Sequence, residues 1–219
     1  MKKIQIFLTV LIIIENDEEV VENILSNTLE TLKDLVSDYE IILVDNASSD
    51  NSLEKLKELT QDDGFPNLQI FALTKHIDDD VATWVGIENA LGDFVAVLNT
   101  NDDEISVLPE MLERGVSGSD VVFARNLMAP KQKVSYRAAN ALFNFLYNKF
   151  SGVNLKHEAP GYRLMSRRVI NFILQHRQPA VSYRHLPVTA GFVKSYVEFE
   201  CCVKRQRSKN VFDSVERGI

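Results

Sequence analysis

GDFVAVLNTNDDE, residues 92–104, is the stretch that decides the fold we predict for this chain. Residues 94–98 form a short apolar run, which is typical of a buried strand. A dense polar group follows it directly: Asn99, Thr100, Asn101, Asp102, Asp103 and Glu104. Ligands of open α/β sheets bind beyond the carboxyl ends of parallel strands, so this group predicts a site for a divalent metal and a nucleotide diphosphate. Oxygen donors on a loop suit Mg²⁺ or Mn²⁺; the alternative is a polar loop that caps the next helix.

The composition is that of an ordinary globular domain. The chain has 219 residues, 45% of them hydrophobic, with 24 basic and 31 acidic side chains and a net charge of −7. This acidic balance gives no support for nucleic-acid binding. The two cysteines, Cys201 and Cys202, are adjacent and therefore poorly suited to a structural disulfide. A reducing compartment, and so a cytoplasmic location, is the expectation.

The first 14 residues, MKKIQIFLTVLIII, have the charge and apolar run of a signal peptide. No small-residue cleavage site follows, however, and the run ends directly in the acidic residues 15–19. It is also too short for a transmembrane helix, and no other stretch reaches about 18 apolar residues. We interpret residues 4–14 as a central parallel strand buried on both faces, and we expect no membrane span in the chain as given.

Strands and helices alternate along the first 125 residues, which predicts an α/β fold with a mostly parallel central sheet flanked by helices. The predicted strands are 4–14, 40–44, 68–73, 94–98 and 120–124, and the predicted helices are 18–36, 53–59, 78–90 and 105–114. The later part predicts helices at 138–150 and 167–176 and strands at 161–165 and 192–203. Neither a G-x-G-x-x-G motif after the first strand nor a P-loop is present. No linker divides the chain, so we predict one domain over 1–219.

Five motifs stand in order along the sequence. They are the apolar strand ending in Glu15-Asn16-Asp17-Glu18, Asp45-Asn46-Ala47-Ser48-Ser49-Asp50 after the second strand, residues 73–93, the stretch Gly161-Tyr162-Arg163-Leu164-Met165, and Arg205-Gln206-Arg207-Ser208-Lys209. In this order they resemble the family 2 inverting glycosyltransferases of the GT-A fold. Within that family the chain is most similar to the polyprenol-phosphate hexose transferases, the dolichol-phosphate mannose synthase group.

The resemblance implies a GT-A fold and transfer of a hexose from a UDP- or GDP-sugar, with inversion, to a polyprenyl phosphate, as in the assembly of cell-envelope polysaccharides. It implies a nucleotide-sugar-binding half, 1–125, and an acceptor-binding half, 126–219. The implied nucleotide-binding residues are Ile14, Glu15, Glu18, Asp45, Asp78 and Thr100. The implied catalytic residues are Glu158 and Arg163, and the metal ligands for Mg²⁺ or Mn²⁺ are Asn99, Asn101 and Asp103. The implied acceptor and phosphate contacts are Arg125, Arg137, Arg205, Ser208 and Lys209.

The chain departs from the family pattern at the ligand edge. Asn99-Thr100-Asn101 stands where the family has Asp-x-Asp, and His76-Ile77-Asp78 stands where it has Asn-x-Gly. The acid before the F-R-L stretch is replaced by Gly161, which leaves Glu158 as the nearby carboxylate. Replacing two carboxylates by amides weakens a site for Mg²⁺. A degenerate, non-catalytic protein that binds a nucleotide or a partner is therefore the alternative hypothesis.

The acceptor decides which chemistry the protein must supply. A phosphate monoester is largely dianionic near neutral pH, since its second pKa is about 6, and it needs positioning by arginines rather than a strong base. A sugar-hydroxyl acceptor would instead need a general base, for which Glu158 is the candidate. The alternative for Asp45 is capping of the following helix, and for the arginines it is pairing with surface acids.

The later apolar residues raise the possibility of a membrane contact. Aromatic side chains recur in the helix predicted at 138–150, and Val211, Phe212 and Val215 form one apolar face near basic residues 204–209. Such faces rest on bilayers whose headgroups are anionic, although packing in the core is the alternative. Peripheral association with the cytoplasmic face of a membrane is the resulting hypothesis.

Overall fold

The computed structural model describes residues 3–61, 64–99, 104–128 and 160–201. Within these ranges one mixed sheet has the strand order β3-β2-β1-β4-β6-β5-β7. Its strands are β1 (Ile4–Ile14), β2 (Val36–Asp45), β3 (Leu68–Ala72), β4 (Phe94–Asn99), β5 (Val121–Asn126), β6 (Arg163–Ser166) and β7 (Lys194–Phe199). The helices are α1 (Val21–Leu35), α2 (Ser52–Leu59), α3 (Asp79–Asn89), α4 (Leu108–Val116), α5 (Arg167–Leu174), α6 (Pro179–Ser182) and α7 (Leu186–Thr189), with a 3₁₀ helix at Ile105–Val107.

The apolar run of β1 makes it the centre of the molecule, as predicted. Val10, Ile12 and Ile14 lie in one core, which α1 and α4 cover. Leu11 and Ile13 lie in the other, which α3 and α5 cover. Successive side chains of a strand point to opposite faces, so a continuous apolar run is the sequence that a strand between two helical layers requires.

The sheet reverses its winding between β1 and β4. The chain moves outward from β1 to β2 and β3 through parallel pairs, then crosses to the other side of β1 to form β4, also parallel. The register places Ile14 beside Asp45 and Ile13 beside Asn99. The carboxyl ends of β1 and β4 therefore border the crevice in which ligands of open α/β sheets bind.

The second half breaks the parallel pattern. β6 is antiparallel to both β4 and β5, while β5 and β7 are parallel to each other. The prediction of a mostly parallel sheet is confirmed, but the reversed direction of β6 was not predicted. The first residue of β6, Arg163, pairs with Val97 of β4 and with Phe123 of β5, and β6 then runs toward the residues at which β4 and β5 begin.

Several boundaries differ from the sequence prediction. β2 starts at Val36 instead of residue 40, directly after α1. The helix predicted at 105–114 consists of the 3₁₀ turn and α4, with Pro109 in the first turn of α4, where its missing N–H costs nothing. The last strand ends at Phe199, before Cys201. The helix predicted at 138–150 lies outside the described residues.

In the part of the chain that the structure describes, no helix combines the length and the apolar character needed to cross a membrane.

Candidate functional site

Side-chain hydrogen bonds tie together the loops that follow β1 and β2. Asn16 has a positive φ of 54°, and its Oδ1 accepts from the backbone N–H groups of Ser49 (2.8 Å) and Asp50 (3.3 Å). The N–H of Asn16 donates in return to the Ser48 hydroxyl at 2.9 Å. Asn tolerates the left-handed region better than most residues, which suits it to this turn. The two loops therefore form one hydrogen-bonded unit at the carboxyl edge of the sheet.

Asp45, the last residue of β2, points into this unit. It is only 2% exposed, and its Oδ1 accepts from the Ser48 N–H at 3.2 Å and from the Ser48 hydroxyl. Asp50 instead caps the first turn of α2, because it accepts from the N–H of Ser52 at 3.0 Å. Helix capping thus falls to Asp50 and not to Asp45, so that alternative for Asp45 is wrong. Its predicted contact with a nucleotide base stays a prediction.

Asp50 is stabilised in its charged form. Partial burial raises its pKa, but hydrogen bonds donated by Ser52 and by the backbone N–H of Glu18 lower it, and the net pKa lies below the ordinary value of an aspartate. Glu18 itself accepts from the Asn51 side chain at 3.0 Å. The loops that carry the predicted nucleotide contacts are therefore held by anionic acceptors whose partners are backbone and side-chain donors.

The loop after β3 is fixed to the same edge. The side-chain amide of Asn46 donates to the carbonyl of Ile77 at 2.8 Å and accepts from its N–H at 3.0 Å. Next to this pair, His76 Nδ1 lies 3.2 Å from a carboxylate oxygen of Glu15, just beyond the end of β1. Asp78 caps α3 by accepting from the Asp80 N–H at 2.9 Å. The loops that follow β1, β2 and β3, with Glu15, Asp45 and Asp78, are thus joined at one edge of the sheet.

Ile14, also predicted to bind the nucleotide, differs from these neighbours. Its side chain is fully buried in the core, and its carbonyl accepts from the N–H of Asn46 at 2.9 Å. Its contribution to this edge is therefore the hydrogen bond that joins β1 to the loop after β2.

Asp80 pairs with Arg184, which comes from the segment between α6 and α7. The two side chains meet at 2.8 Å, and the charge of Asp80 raises the pKa of Arg184. The adjacent His185 behaves in the opposite way: burial and the positive charge of Arg184 lower its pKa. This ion pair joins the start of α3, at the carboxyl edge, to the C-terminal part of the described chain.

The predicted metal ligands are only partly described. Asn99 ends β4, is half-buried, and pairs with Ile13 of β1 at the switch point. Thr100, Asn101 and Asp103 lie outside the described residues, as do Arg137, Glu158, Arg205, Ser208 and Lys209. In residues 3–61, 64–99, 104–128 and 160–201, no three His, Cys, Asp or Glu side chains are grouped to hold a metal ion.

The structure reveals a cluster around Glu104 that the sequence analysis missed. The Tyr162 hydroxyl donates to the backbone carbonyl of Glu104 at 3.1 Å. The Cys201 thiol donates to the Glu104 carboxylate at 3.2 Å. The side-chain amide of Asn126 donates to the carbonyl of Cys201 at 2.7 Å and accepts from its N–H at 3.1 Å. One feature of the sequence pointed to this cluster: Tyr162 stands first in the stretch that resembles the F-R-L motif of the family.

Arg163, predicted to be catalytic, lies inside the protein. It is 0% exposed, and its guanidinium carbon is 4.7 Å from the centre of the Tyr183 ring and 5.5 Å from that of Phe123. Its Nε donates to the carbonyl of Pro160 at 3.0 Å. This packing holds the chain that enters β6, so contact with a substrate would require the surrounding side chains to separate. The catalytic role stays a prediction.

Arg125, a predicted acceptor contact, lies at the carboxyl end of β5. It is partly exposed, its guanidinium reaches Glu198 on β7 at 3.4 Å, and it stacks over the Tyr196 ring at 5.6 Å. The alternative of pairing with a surface acid is therefore realised in this structure. A partly exposed ion pair of this kind is weak enough to exchange for a phosphate.

The strand order, the switch point and the polar carboxyl edge together define the GT-A fold of the nucleotide-diphospho-sugar transferases. The same architecture is found in glucosyl-3-phosphoglycerate synthase from Mycobacterium tuberculosis, solved in complex with Mn²⁺, UDP and phosphoglyceric acid. It superposes with a TM-score of 0.60 at 14% identity, over 97% of this chain and 74% of that one. At this identity the likeness establishes the fold.

The chain belongs to glycosyl transferase family 2, whose model matches residues 9–174. It is 24% identical over 194 residues to an uncharacterized glycosyltransferase of Synechocystis sp., covering 88% of this chain and 60% of the relative. It is 26% identical over 193 residues to the undecaprenyl-phosphate 4-deoxy-4-formamido-L-arabinose transferase of Pseudomonas fluorescens, covering 87% of this chain and 55% of the relative. The chain thus spans little more than half the length of these curated relatives.

Proposed function

We propose that this protein transfers a hexose from a UDP- or GDP-sugar, with inversion, to a polyprenyl phosphate. The observation that carries the proposal is the set of hydrogen-bonded loops, with Glu15, Asp45 and Asp78, that follows the parallel strands β1, β2 and β3 of a family 2 chain. The acceptor class is supported by the relative from Pseudomonas fluorescens, whose name specifies undecaprenyl phosphate. Residues 1–125 would bind the donor and residues 126–219 the acceptor, within one domain.

We assign recognition of the donor's nucleotide base to Asp45. Ser48 occupies one of its carboxylate oxygens, and the second oxygen receives no hydrogen bond from the described residues. A carboxylate fixed in this way accepts from the imide N–H of uracil or the corresponding N–H of guanine without reorganising. Glu15 and Glu18, at the end of β1, would border the ribose, and Thr100 would complete the set.

A divalent metal would bind Asn99, Asn101 and Asp103. Their donors are all oxygens, which suits Mg²⁺ or Mn²⁺, but the set contains a single carboxylate and therefore binds weakly. When bound, the ion would neutralise the charge that develops on the leaving diphosphate. Arg and Lys side chains can supply the same neutralisation.

The acceptor would approach from the side of β5 and β7. Arg125, now paired with Glu198, lies there, and it would offset the charge of a lipid phosphate together with Arg137, Arg205, Ser208 and Lys209 from the sequence. Leu127 and Met128, directly after β5, are 54% and 50% exposed and give this side an apolar surface. That combination suits an amphiphilic acceptor better than a free sugar.

The reaction would be a single displacement. A phosphate oxygen of the acceptor forms a bond to the anomeric carbon on the face opposite the nucleotide, and the bond from that carbon to the diphosphate breaks. The configuration inverts, and the nucleoside diphosphate leaves with the electron pair. A dianionic phosphate has no proton to lose, so this route needs no general base; Glu158 would be required only for a hydroxyl acceptor.

Binding and turnover test the proposal separately. Calorimetric titration of the protein with UDP, GDP and their hexose conjugates, each with and without Mn²⁺, should reveal one preferred nucleotide. Transfer of a radiolabelled hexose to a polyprenyl phosphate should follow, with a soluble phosphate monoester as the control acceptor. Failure to bind any of the nucleotides under any metal condition would rule the proposal out.

The second candidate function is a non-catalytic nucleotide-binding protein. The observation that favours it is the pair of amides, Asn99 and Asn101, in place of two carboxylates. The double substitution N99D/N101D discriminates between the two candidates. If Mn²⁺ affinity increases about tenfold or more while both proteins lack transferase activity, the non-catalytic candidate is favoured.

Peripheral membrane association belongs to the same proposal. The apolar helix faces that suggested it, within 138–150 and at residues 211–215, lie outside the described residues. Flotation with liposomes, with and without anionic lipid, tests it directly, since the basic residues 204–209 should make binding depend on lipid charge. Absence of flotation in both cases, together with transfer to a soluble acceptor, would contradict it.

A further inference from the structure

We infer that Ser48 is a specificity-determining residue, which occupies one oxygen of the Asp45 carboxylate and thereby favours uracil over guanine as the base of the donor. The inference deepens the proposed function and rests on its assignment of the nucleotide base to Asp45. Its structural basis is that the N–H and the hydroxyl of Ser48 both donate to the same carboxylate oxygen, Oδ1 of Asp45.

The hydroxyl of Ser48 acts on Asp45 as a donor. A carboxylate has no hydrogen to give, so the hydrogen in this contact belongs to Ser48. The Ser48 oxygen also accepts from the backbone N–H of Asn16 at 2.9 Å, and this contact fixes where the oxygen lies. Asn16 is itself held, since its Oδ1 accepts from the N–H and the hydroxyl of Ser49 at 2.8 and 3.1 Å. The loop after β1 therefore directs the Ser48 hydroxyl at Asp45.

The backbone of the turn after β2 is strained in the way that brings Ser48 back to Asp45. Ala47 has a positive φ of 58°, a left-handed conformation that residues with a Cβ seldom adopt. The turn lets the N–H of Ser48 reach the side chain of Asp45, three residues earlier, at 3.2 Å. Backbone strain of this kind clusters at ligand sites, where it fixes a side chain before the ligand binds.

The occupied oxygen leaves Asp45 suited to a base with a single donor. Asp45 is 2% exposed and lies between Ile14 of β1 and Ala72 of β3, so its carboxylate has little room to rotate. Oδ1 already accepts two hydrogen bonds, which use both of its lone pairs. The second oxygen receives no hydrogen bond from the described residues and is the one that can meet the base.

Uracil and guanine differ in what they offer to such a carboxylate. Uracil presents one N–H between two carbonyl groups, and a single carboxylate oxygen satisfies it. Guanine presents a ring N–H and an amino group side by side, and a carboxylate pairs with both only when its two oxygens are available. The contacts of Ser48 therefore deprive guanine of one charge-assisted hydrogen bond and cost uracil none.

Calorimetric titration of the wild type and of Ser48→Ala with UDP, GDP and CDP tests the inference, since the three ligands share the ribose and the diphosphate. We expect the wild type to bind UDP about tenfold more tightly than GDP, roughly the effect of one hydrogen bond to a charged group. S48A should narrow this ratio to about threefold or less, because the hydroxyl no longer competes with guanine for Oδ1. The preference for UDP over CDP should persist in S48A, because the ring nitrogen of cytosine carries no hydrogen for Asp45 to accept. Ser48→Thr retains the hydroxyl and should retain the ratio of the wild type.

Ser52→Ala is the matched control, because Ser52 makes the same pair of contacts farther along the loop. Its hydroxyl accepts from the N–H of Asp17 at 3.1 Å and donates to the carboxylate of Asp50 at 2.5 Å. S52A loosens the same two loops without freeing an oxygen of Asp45, so it should change the affinities for UDP and GDP by the same factor. A ratio that falls equally in S52A and S48A would overturn the inference, because the rigidity of the loops would then set the preference.

The remaining outcomes separate the inference from the proposed function. Tighter binding of GDP than of UDP by the wild type would overturn the inference and leave the proposed function standing, and so would an unchanged ratio in S48A. A preference for UDP that S48A abolishes, in a protein without transferase activity, would support the inference and favour the non-catalytic candidate. Binding of none of the three nucleotides would overturn both.

Discussion

Charged side chains lie both at the amino ends of the parallel strands (the amino edge) and at their carboxyl ends (the carboxyl edge), but they serve different purposes at the two. At the amino edge, Glu40 is 4% exposed and accepts from the Thr9 hydroxyl and the Leu91 N–H, both at 2.6 Å. Arg167 donates to the carbonyls of Ala90 and Gly92 at 2.9 Å. At the carboxyl edge, by contrast, Glu15 is partly exposed and faces an exposed histidine.

The two edges differ in how much hydrogen-bonding capacity their charged groups retain for a ligand. The charged groups at the amino edge form hydrogen bonds with backbone and side-chain partners within the protein, and these bonds fix the strands against one another. Burial lowers the pKa of Arg167, whereas the charges of Glu40 and Asp93 oppose that effect. At the carboxyl edge, Asp45 holds its loop with one carboxylate oxygen, and its second oxygen receives no hydrogen bond from the described residues. A buried, satisfied charge therefore indicates structure, and a partly satisfied one at a switch point indicates a site.

The largest effect should come from Glu40→Ala at the amino edge. It leaves the Thr9 hydroxyl and the Leu91 N–H without their acceptor and removes the carboxylate that attracts Arg167. We expect the free energy of unfolding in urea to fall by about 3 kcal/mol. Glu15→Ala, the same change at the carboxyl edge, should cost less than about 1 kcal/mol because its contact with His76 is partly exposed. Equal losses would contradict the comparison.

Gly92→Ala should be the next most damaging change. An added Cβ would lie 2.5 Å from the backbone nitrogen of Thr9 and 2.7 Å from the carbonyl oxygen of Phe94, and neither backbone atom can move without disturbing the strands. A loss of about 2 kcal/mol is expected from this overpacking. Gly161→Ala is the control at the other edge, since no atom of the described residues lies within 4 Å of its added Cβ. A Gly161→Ala protein as unstable as Gly92→Ala would refute the explanation.

Asp45→Asn should reveal the site without unfolding the protein. An amide can still accept from Ser48, but its NH₂ group opposes the N–H of a nucleotide base. Affinity for the nucleotide that the wild type binds should fall about tenfold, measured by calorimetry. Asp93→Asn at the amino edge, where the carboxylate accepts from the Phe7 N–H at 2.9 Å, should leave that affinity unchanged. A weaker effect at Asp45 than at Asp93 would remove Asp45 from the site.

The smallest effect concerns pH. Burial and the charge of Arg184 lower the pKa of His185, so the unfolded chain binds this proton more readily than the folded protein does. The stability that neutral His185 provides is complete above the ordinary pKa of about 6.5 and declines as the pH falls from there toward the lowered value. His185→Gln should flatten the decline in melting temperature between about pH 7 and pH 5. A profile identical to the wild type would show that His185 does not contribute to it.

The sequence by itself determined the central strand, the alternation of strands and helices up to β5, and the polar edge at which we predict the site. The apolar run of β1, with residues alternating between two cores, dictates burial locally, and the polar residues after β1, β2 and β4 mark one edge because parallel strands end together. These features follow from residues near one another in the chain, so periodicity and composition suffice to predict them.

Only the tertiary structure decided how the second half completes that edge. The antiparallel direction of β6, the enclosure of Arg163 between Tyr183 and Phe123, and the contacts of Glu104 with Tyr162 and Cys201 were not predicted. Glu104 and Cys201 are 97 residues apart in sequence, and no local pattern encodes their contact. The same guanidinium can bind a phosphate at the surface or support a loop from within, and the choice depends on which rings pack over it. Packing between distant segments, which sequence periodicity does not record, made that choice here.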